Sequence, residues 1–258
     1  MRISTASGAG TLPEIRRTTV DTPVVSLTPS PDKPIPVRRV HWTAAVRIIP
    51  GVFPPIELFE RVARKEDIDA VHAIESAFNP RLRDAAGDLS LVPADERVVG
   101  PGAGFIMAAF THVSPHGSRF SNGTYGVFYA AQRESTAIAE TKYHRERFLR
   151  ATREARREVD MRVLSVVVRG QLHDLRGLRD IMPDIYRSDD YTASQLLGGA
   201  LRAGGSNGAV YESVRQEGGQ CVAIFRAPLL SSCRERRHLR YVWDGARIVD
   251  VLEVRKVI

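Results

Sequence analysis

The sequence predicts an α+β protein, a mixed β core with few flanking helices. Three observations lead there. Short β-branched and aromatic runs recur, "GVFYAAQ", "MRVLSVVVRGQLHDL", "GAVYES" and "GQCVAIFRA" among them. Helical spacing is confined to a few stretches. The C-terminal segment "RHLRYVWDGARIVDVLEV" reads as a hairpin with its turn at Asp244-Gly245.

Taken in order, residues 1–36 are rich in Ser, Thr, Pro and Gly, and "VSLTPSPDKPIPV" forbids a regular helix. They read as a flexible or draped N-terminal arm, leaving 37–258 as the folded domain. The texture changes from Arg47 onward. "IELFERVARKEDIDAVHAIESAF" spaces Ile56, Phe59, Val62, Ile68, Val71 and Ile74 as a helix does, until Pro80 and Gly87 interrupt. "GFIMAAFTHVS" fits either a buried strand or a short core helix. "GVFYAAQ" reads as a buried strand, followed by a helix from Glu134 to about Arg150. "MRVLSVVVRGQLHDL" is the clearest strand. "DYTASQLLGGALRAGG" is a helix closed by Gly204 and Gly205, and two further strands precede the hairpin.

The 258 residues are 43% hydrophobic and 26% charged, enough to bury a sizeable core. No run of roughly 18 to 20 apolar residues suggests a spanning helix, and no apolar N-terminal segment suggests a secretory signal. Cys221 and Cys233 are too few for a disulfide framework or a four-ligand zinc site. The expectation is a soluble, cytoplasmic protein without a metal. The net charge of +7 admits nucleic acid, a nucleotide or an acidic protein as partner. The basic residues are densest at Arg145–Arg157 and Arg234–Arg240, with no nucleic-acid-binding signature, so they read as solvated faces and direct nucleic-acid binding is not expected.

Four residues stand out between Ser118 and Arg215. Arg119 lies at the entry from a loop to a strand, where a guanidinium can grip a phosphate or carboxylate with two bonds, or form a surface ion pair. Tyr129 ends an apolar strand; its ring can stack on a heterocycle, or its hydroxyl can satisfy the core. Glu140 follows on a helix with His144 at i+4, so no standard helical ion pair explains it. Ser213 sits where a strand leaves for a Gly-Gly turn and can serve there as a cap. His112 and His116, in a Pro-Gly loop, read as turn residues.

This order, with "VRIIPGVFPPIELFERVA", "NPRLRDAAGDLSLV", "FTHVSPHGSRFSNGTYGVFYAA", "STAIAETKYHRERFL" and "SVRQEGGQCVAIFR", resembles the RES-domain family of bacterial toxins. The resemblance covers about Arg47 to Phe225. It implies a fold like that of ADP-ribosyltransferases, with NAD as substrate and no separate cofactor. The family's arginine, tyrosine, glutamate and serine match Arg119, Tyr129, Glu140 and Ser213. A second, upstream dinucleotide-binding arginine is assigned to Arg61, with Arg47 as the rival. It also implies a partner antitoxin with an Xre-type DNA-binding domain.

The residue types suit the chemistry. Breaking the nicotinamide–ribose bond builds positive charge on the ribose, as in glycoside hydrolysis. A carboxylate beside it stabilises that charge or deprotonates the nucleophile. Three functions follow: NAD cleavage with transfer of ADP-ribose to water or phosphate; ADP-ribosylation of a particular protein; or a non-enzymatic nucleic-acid-binding module, in which Glu140 is dispensable.

Overall fold

The computed structural model describes residues 34–78 and 80–255. Seven strands carry it: β1 (Val37–Pro50), β2 (Phe128–Ala131), β3 (Arg157–Asp174), β4 (Gly208–Glu212), β5 (Gln220–Ile224), β6 (Leu230–Trp243) and β7 (Ile248–Val254). Six helices flank them: α1 (Glu57–Arg61), α2 (Ile68–Phe78), α3 (Pro80–Ala86), α4 (Ala103–Thr111), α5 (Glu134–Ala151) and α6 (Thr192–Ala203). The sheet order is β1-β2-β5-β4-β3-β6-β7, and β1 also pairs with β3. Among the described strands only β3–β4 is parallel, so the sheet is mixed and the class is α+β.

The long β3 organises this arrangement. Val163, Leu164, Val166 and Val168 are all fully buried, which is why its sequence reads as a continuous apolar run. On one edge it pairs with β1 from Val37↔His173 to Pro50↔Met161. On the other it pairs first with β6 and then, at His173 and Asp174, with β4. The β1–β2 bridge at Val46↔Ala131 closes a ring through β5 and β4.

Two cores lie on the two faces. One gathers Leu58 and Phe59 of α1, Met107 and Phe110 of α4, and Phe128, Leu164 and Cys233 from the strands. The other gathers Ala137 and Leu149 of α5, Leu197 of α6, and Val46, Val163, Tyr211 and Trp243.

The open alternative at "GFIMAAFTHVS" resolves as α4, a helix apolar nearly all round and therefore buried nearly all round. "NPRLRDAAGD" holds a second helix, α3, where an interruption was expected; proline is well accommodated in a first helical turn. The sequence reading also passes over β1. Its strand pattern is hidden by Arg38, Arg39 and His41 and by a register shift between Trp42 and Ala45, which breaks the two-residue alternation. Of the N-terminal arm, residues 1–33 lie outside the described residues. Residues 34–36 lie against the sheet: Ile35 packs on the α5-side core, and the Pro36 carbonyl accepts from the Asp174 amide at 2.7 Å.

Candidate active site

A cavity of about 970 Å³ lies along α5, within the span of about 300–1,000 Å³ common for small-molecule sites. Glu140, Thr141, His144, Arg147, Phe148 and Ala151 all line it. These positions recur at the three-to-four-residue helical period, so one face of α5 forms a wall about 16 Å long from Glu140 to Ala151. Val46–Pro50 of β1, the loop around Arg119, Tyr129–Ala131 of β2 and Asp189–Thr192 supply the remaining sides.

Glu140 and Ser213 meet here although 73 residues separate them. The Ser213 hydroxyl donates to Glu140 Oε1 at 2.6 Å and accepts from the amides of Arg215 and Gln216 at 3.0 and 3.1 Å. Ser213 is buried at the start of the β4–β5 turn, so its expected capping contacts and its bond to the carboxylate coexist.

Tyr129 lines the cavity, and its hydroxyl accepts from the Phe120 amide at 2.9 Å and bonds the Ser118 hydroxyl at 2.8 Å. Burial pushes its phenol well above the usual range, so it remains protonated. The tyrosine therefore braces the arginine loop. Gly117 makes that loop possible: its φ is +70°, and a Cβ would lie 2.5 Å from the Ser121 carbonyl oxygen.

Arg119 is buried, and its Nη1 donates to the carbonyls of Ile185 and Arg187 at 3.1 and 3.0 Å. Its guanidinium stacks 4.5 Å from the Tyr191 ring centroid. It thus holds segment 185–191 against the cavity. Arg215 grips the same segment: it donates to the Ser188 carbonyl, approaches Asp189 at 4.0 Å and stacks on Tyr143, whose hydroxyl bonds Asp189.

Arg61 is not brought to this site. It sits exposed on α1, an element packed on the opposite core, and is absent from the cavity wall. Its rival Arg47 does border the cavity as part of β1. Its guanidinium donates to the Tyr129 carbonyl at 3.0 Å and lies 4.5 Å from the Phe128 ring, so it braces β2. Burial lowers it to about 10, and its Nε is buried with no hydrogen-bond partner among the described residues.

The sequence reads the cations of α5 as a solvated face, and the structure corrects this for two of them. Arg145 and Arg147 line the wall, and among the described residues neither forms an ion pair. Arg145 lies 5.1 Å from the ring of Phe148, itself half exposed. His144 is exposed by surface area, but crowding by the surrounding protein desolvates its ring and, with Arg215, Arg119, Arg145 and Arg147, pushes it down to about 4, leaving it neutral near pH 7. The signal was the spacing from Glu140: four residues to His144 and seven to Arg147. The partners in segment 187–191 had no such signal, because only the tertiary fold brings that loop to α5. Among the described residues no His/Cys/Asp/Glu group is arranged to hold a metal, and no helix is long and apolar enough to cross a membrane.

The RES domain family model matches residues 96–244, more than half of the chain. The chain belongs to the RES-domain family. Arg119, Tyr129, Glu140 and Ser213 of this RES domain all fall within the match, whereas Arg47 and Arg61 precede it. The chain is 32% identical over 203 residues to the uncharacterized protein y4oC of Sinorhizobium fredii, covering 78% of this chain and 84% of that one. Among solved structures it is similar to a chain of the M. tuberculosis MbcT–MbcA toxin–antitoxin complex. That likeness is 15% in identity, with a TM-score of 0.36, over 51% of this chain and 74% of that chain.

Proposed function

We propose that this RES domain is a toxin that cleaves the nicotinamide–ribose bond of NAD and passes ADP-ribose to water or inorganic phosphate. The observation that carries the reading is the 2.6 Å bond from Ser213 to Glu140 on the wall of a long cavity rich in arginine. That bond fixes one carboxylate oxygen and leaves Oε2 for the substrate. Family membership supports it, and the sequence resemblance assigns the four residues to this chemistry.

In the proposed reaction the C1′–N bond breaks and its electron pair stays on nicotinamide, neutralising the pyridinium. Glu140 faces the positive charge that develops on the ribose. With water as acceptor, its oxygen bonds C1′ and its proton passes to Glu140 and then to solvent. With phosphate, an already ionised oxygen attacks. The rest of the dinucleotide runs along α5, its phosphates facing Arg119, Arg145 and Arg147 and its adenine reaching Phe148.

An Xre-type antitoxin is the proposed partner, since an arginine-rich cavity equally accepts an acidic inhibitory segment. Incubation with NAD, with and without phosphate, tests the function. Free nicotinamide with ADP-ribose, or with ADP-ribose 1″-phosphate when phosphate is present, is expected. ADP-ribose appearing on protein instead would assign the chain to protein modification, and intact NAD would remove the enzymatic reading.

A further inference from the structure

The turn that carries Ser213 is bolted to the start of α5. Thr136, fully buried in the first turns of that helix, donates its hydroxyl to Gln216 Oε1 at 2.5 Å. The Ser135 hydroxyl reaches the same oxygen at 3.3 Å, and Arg133 Nη2 donates to the Gly218 carbonyl at 2.8 Å. Within the turn, the Gln216 amide donates to the Ser213 hydroxyl, and the Ser213 amide donates to the Gly219 carbonyl at 2.8 Å.

Close packing reinforces the hydrogen bonds. A Cβ on Gly219 would stand 2.7 Å from Thr136 Cγ2 and 2.9 Å from its hydroxyl oxygen. The turn thus seats directly on Thr136, and only glycine permits that approach.

Thr136 and Glu140 are four residues apart on one helix, one above the other on the same face. Thr136 holds the turn through Gln216, and Glu140 receives the hydroxyl of the serine held in that turn. The two attachments share one rigid ruler, the first turns of α5. Arg179 Nη2 also donates to the Ser213 carbonyl at 3.1 Å, so the buried Thr136 hydroxyl is one of several attachments of the turn, and the one that ties it to the helix face carrying Glu140.

We infer that Thr136 and Gln216 are positioning residues that hold Ser213 on Glu140. Neither touches the reacting atoms; both act through the serine hydroxyl. The inference rests on the proposed function only for its kinetic consequence, because the geometric consequence is independent of any substrate.

Thr136→Val keeps the side chain's shape while removing the donor, and Thr136→Ser restores it. The first measurement is a crystal structure of each variant without substrate. In Thr136→Val the Ser213–Glu140 bond is expected to open, and in Thr136→Ser to remain. An unchanged bond in the valine variant overturns the inference, whether or not NAD is the substrate. The second is NAD turnover. Thr136→Val is expected to lower kcat about tenfold, the scale of one hydrogen bond, with KM nearly unchanged. In a Ser213→Ala background the same substitution should cost almost nothing more, because its route through the serine is already cut. Additive losses would show a general structural role and overturn the inference. Should Thr136→Val not fold, Gln216→Leu, at the half-buried end of the same link, carries the same tests. A parent protein inert toward NAD removes the proposed function, and the crystallographic comparison still decides the inference.

Discussion

Ser213 Oγ donates to Glu140 Oε1 at 2.6 Å, joining the start of the β4–β5 turn to the first half of α5. The bond does two things. It prevents the carboxylate from rotating freely, and it places that negative charge at one spot on a wall that also carries Arg119, Arg145 and Arg147 with Asp189 and Asp190. A carboxylate so held is pre-organised for a cationic transition state, since little reorganisation is needed as charge develops.

Arg119→Lys is expected to lose most NAD turnover and also to loosen segment 185–191. Lysine keeps the charge but cannot bond two carbonyls and stack on Tyr191 at once. Losing one charge-assisted bond costs about 1.5–3 kcal/mol, or roughly 10- to 150-fold. Steady-state kinetics together with proteolysis of segment 185–191 check this. A lysine variant with parental rate and parental protease resistance would show the arginine to be a plain cation.

Phe148 lies eight residues beyond Glu140 on the same helix, at the far end of the cavity. If adenine stacks there, Phe148→Ala raises KM for NAD by about two- to tenfold, the worth of one aromatic contact, and leaves kcat alone. A change confined to kcat would place the adenine elsewhere.

His144 is held in its neutral form, with its pKa pushed down from the usual value to about 4. The unfolded chain binds this proton near pH 6.5, so the folded state is destabilised progressively as pH falls from about 6.5 to about 4. Titration of the His144 ring by NMR should give a midpoint near 4. A midpoint near 6.5 would mean that the surrounding walls and arginines do not act on it.

A chain beginning at Pro34 is expected to fold and to cleave NAD like the full chain. Residues 34–36 are kept because Ile35 packs on the core and the Pro36 carbonyl bonds Asp174. The core residues of the described structure and Glu140 all lie within 34–255, and the Pro/Ser/Thr-rich composition before them is not that of a core. A folded but inactive shortened chain would place part of the arm in the site.

Much of this architecture was legible in the residues. β3 is apolar on both faces, and the β6–β7 hairpin carries its own turn at Asp244-Gly245, so local pattern sufficed for both. The early strand β1 was hidden because its bulge breaks the alternation on which strands are recognised. At the site, the structure brings Glu140, Tyr129 and Arg119 around one cavity, with Ser213 behind Glu140 and bonded to it, and Tyr129 bonded to the arginine loop. Arg61 is the correction: a place on a helix with a favourable position in sequence said nothing of which core that helix packs against. The Arg119 clasp on segment 185–191 was equally unreadable, because its acceptors are main-chain carbonyls, which every residue has.

The most direct test of the account is Glu140→Gln, measured as NAD turnover beside the thermal midpoint. Glutamine keeps the shape and can still accept from Ser213, but it carries no charge to oppose that on the ribose. The account predicts a folded protein with a near-parental midpoint, NAD affinity only slightly weakened, and turnover lower by about a hundredfold or more. Growth inhibition on expression in bacteria should disappear with it. A stable Glu140→Gln protein that consumes NAD at the parental rate would contradict the account.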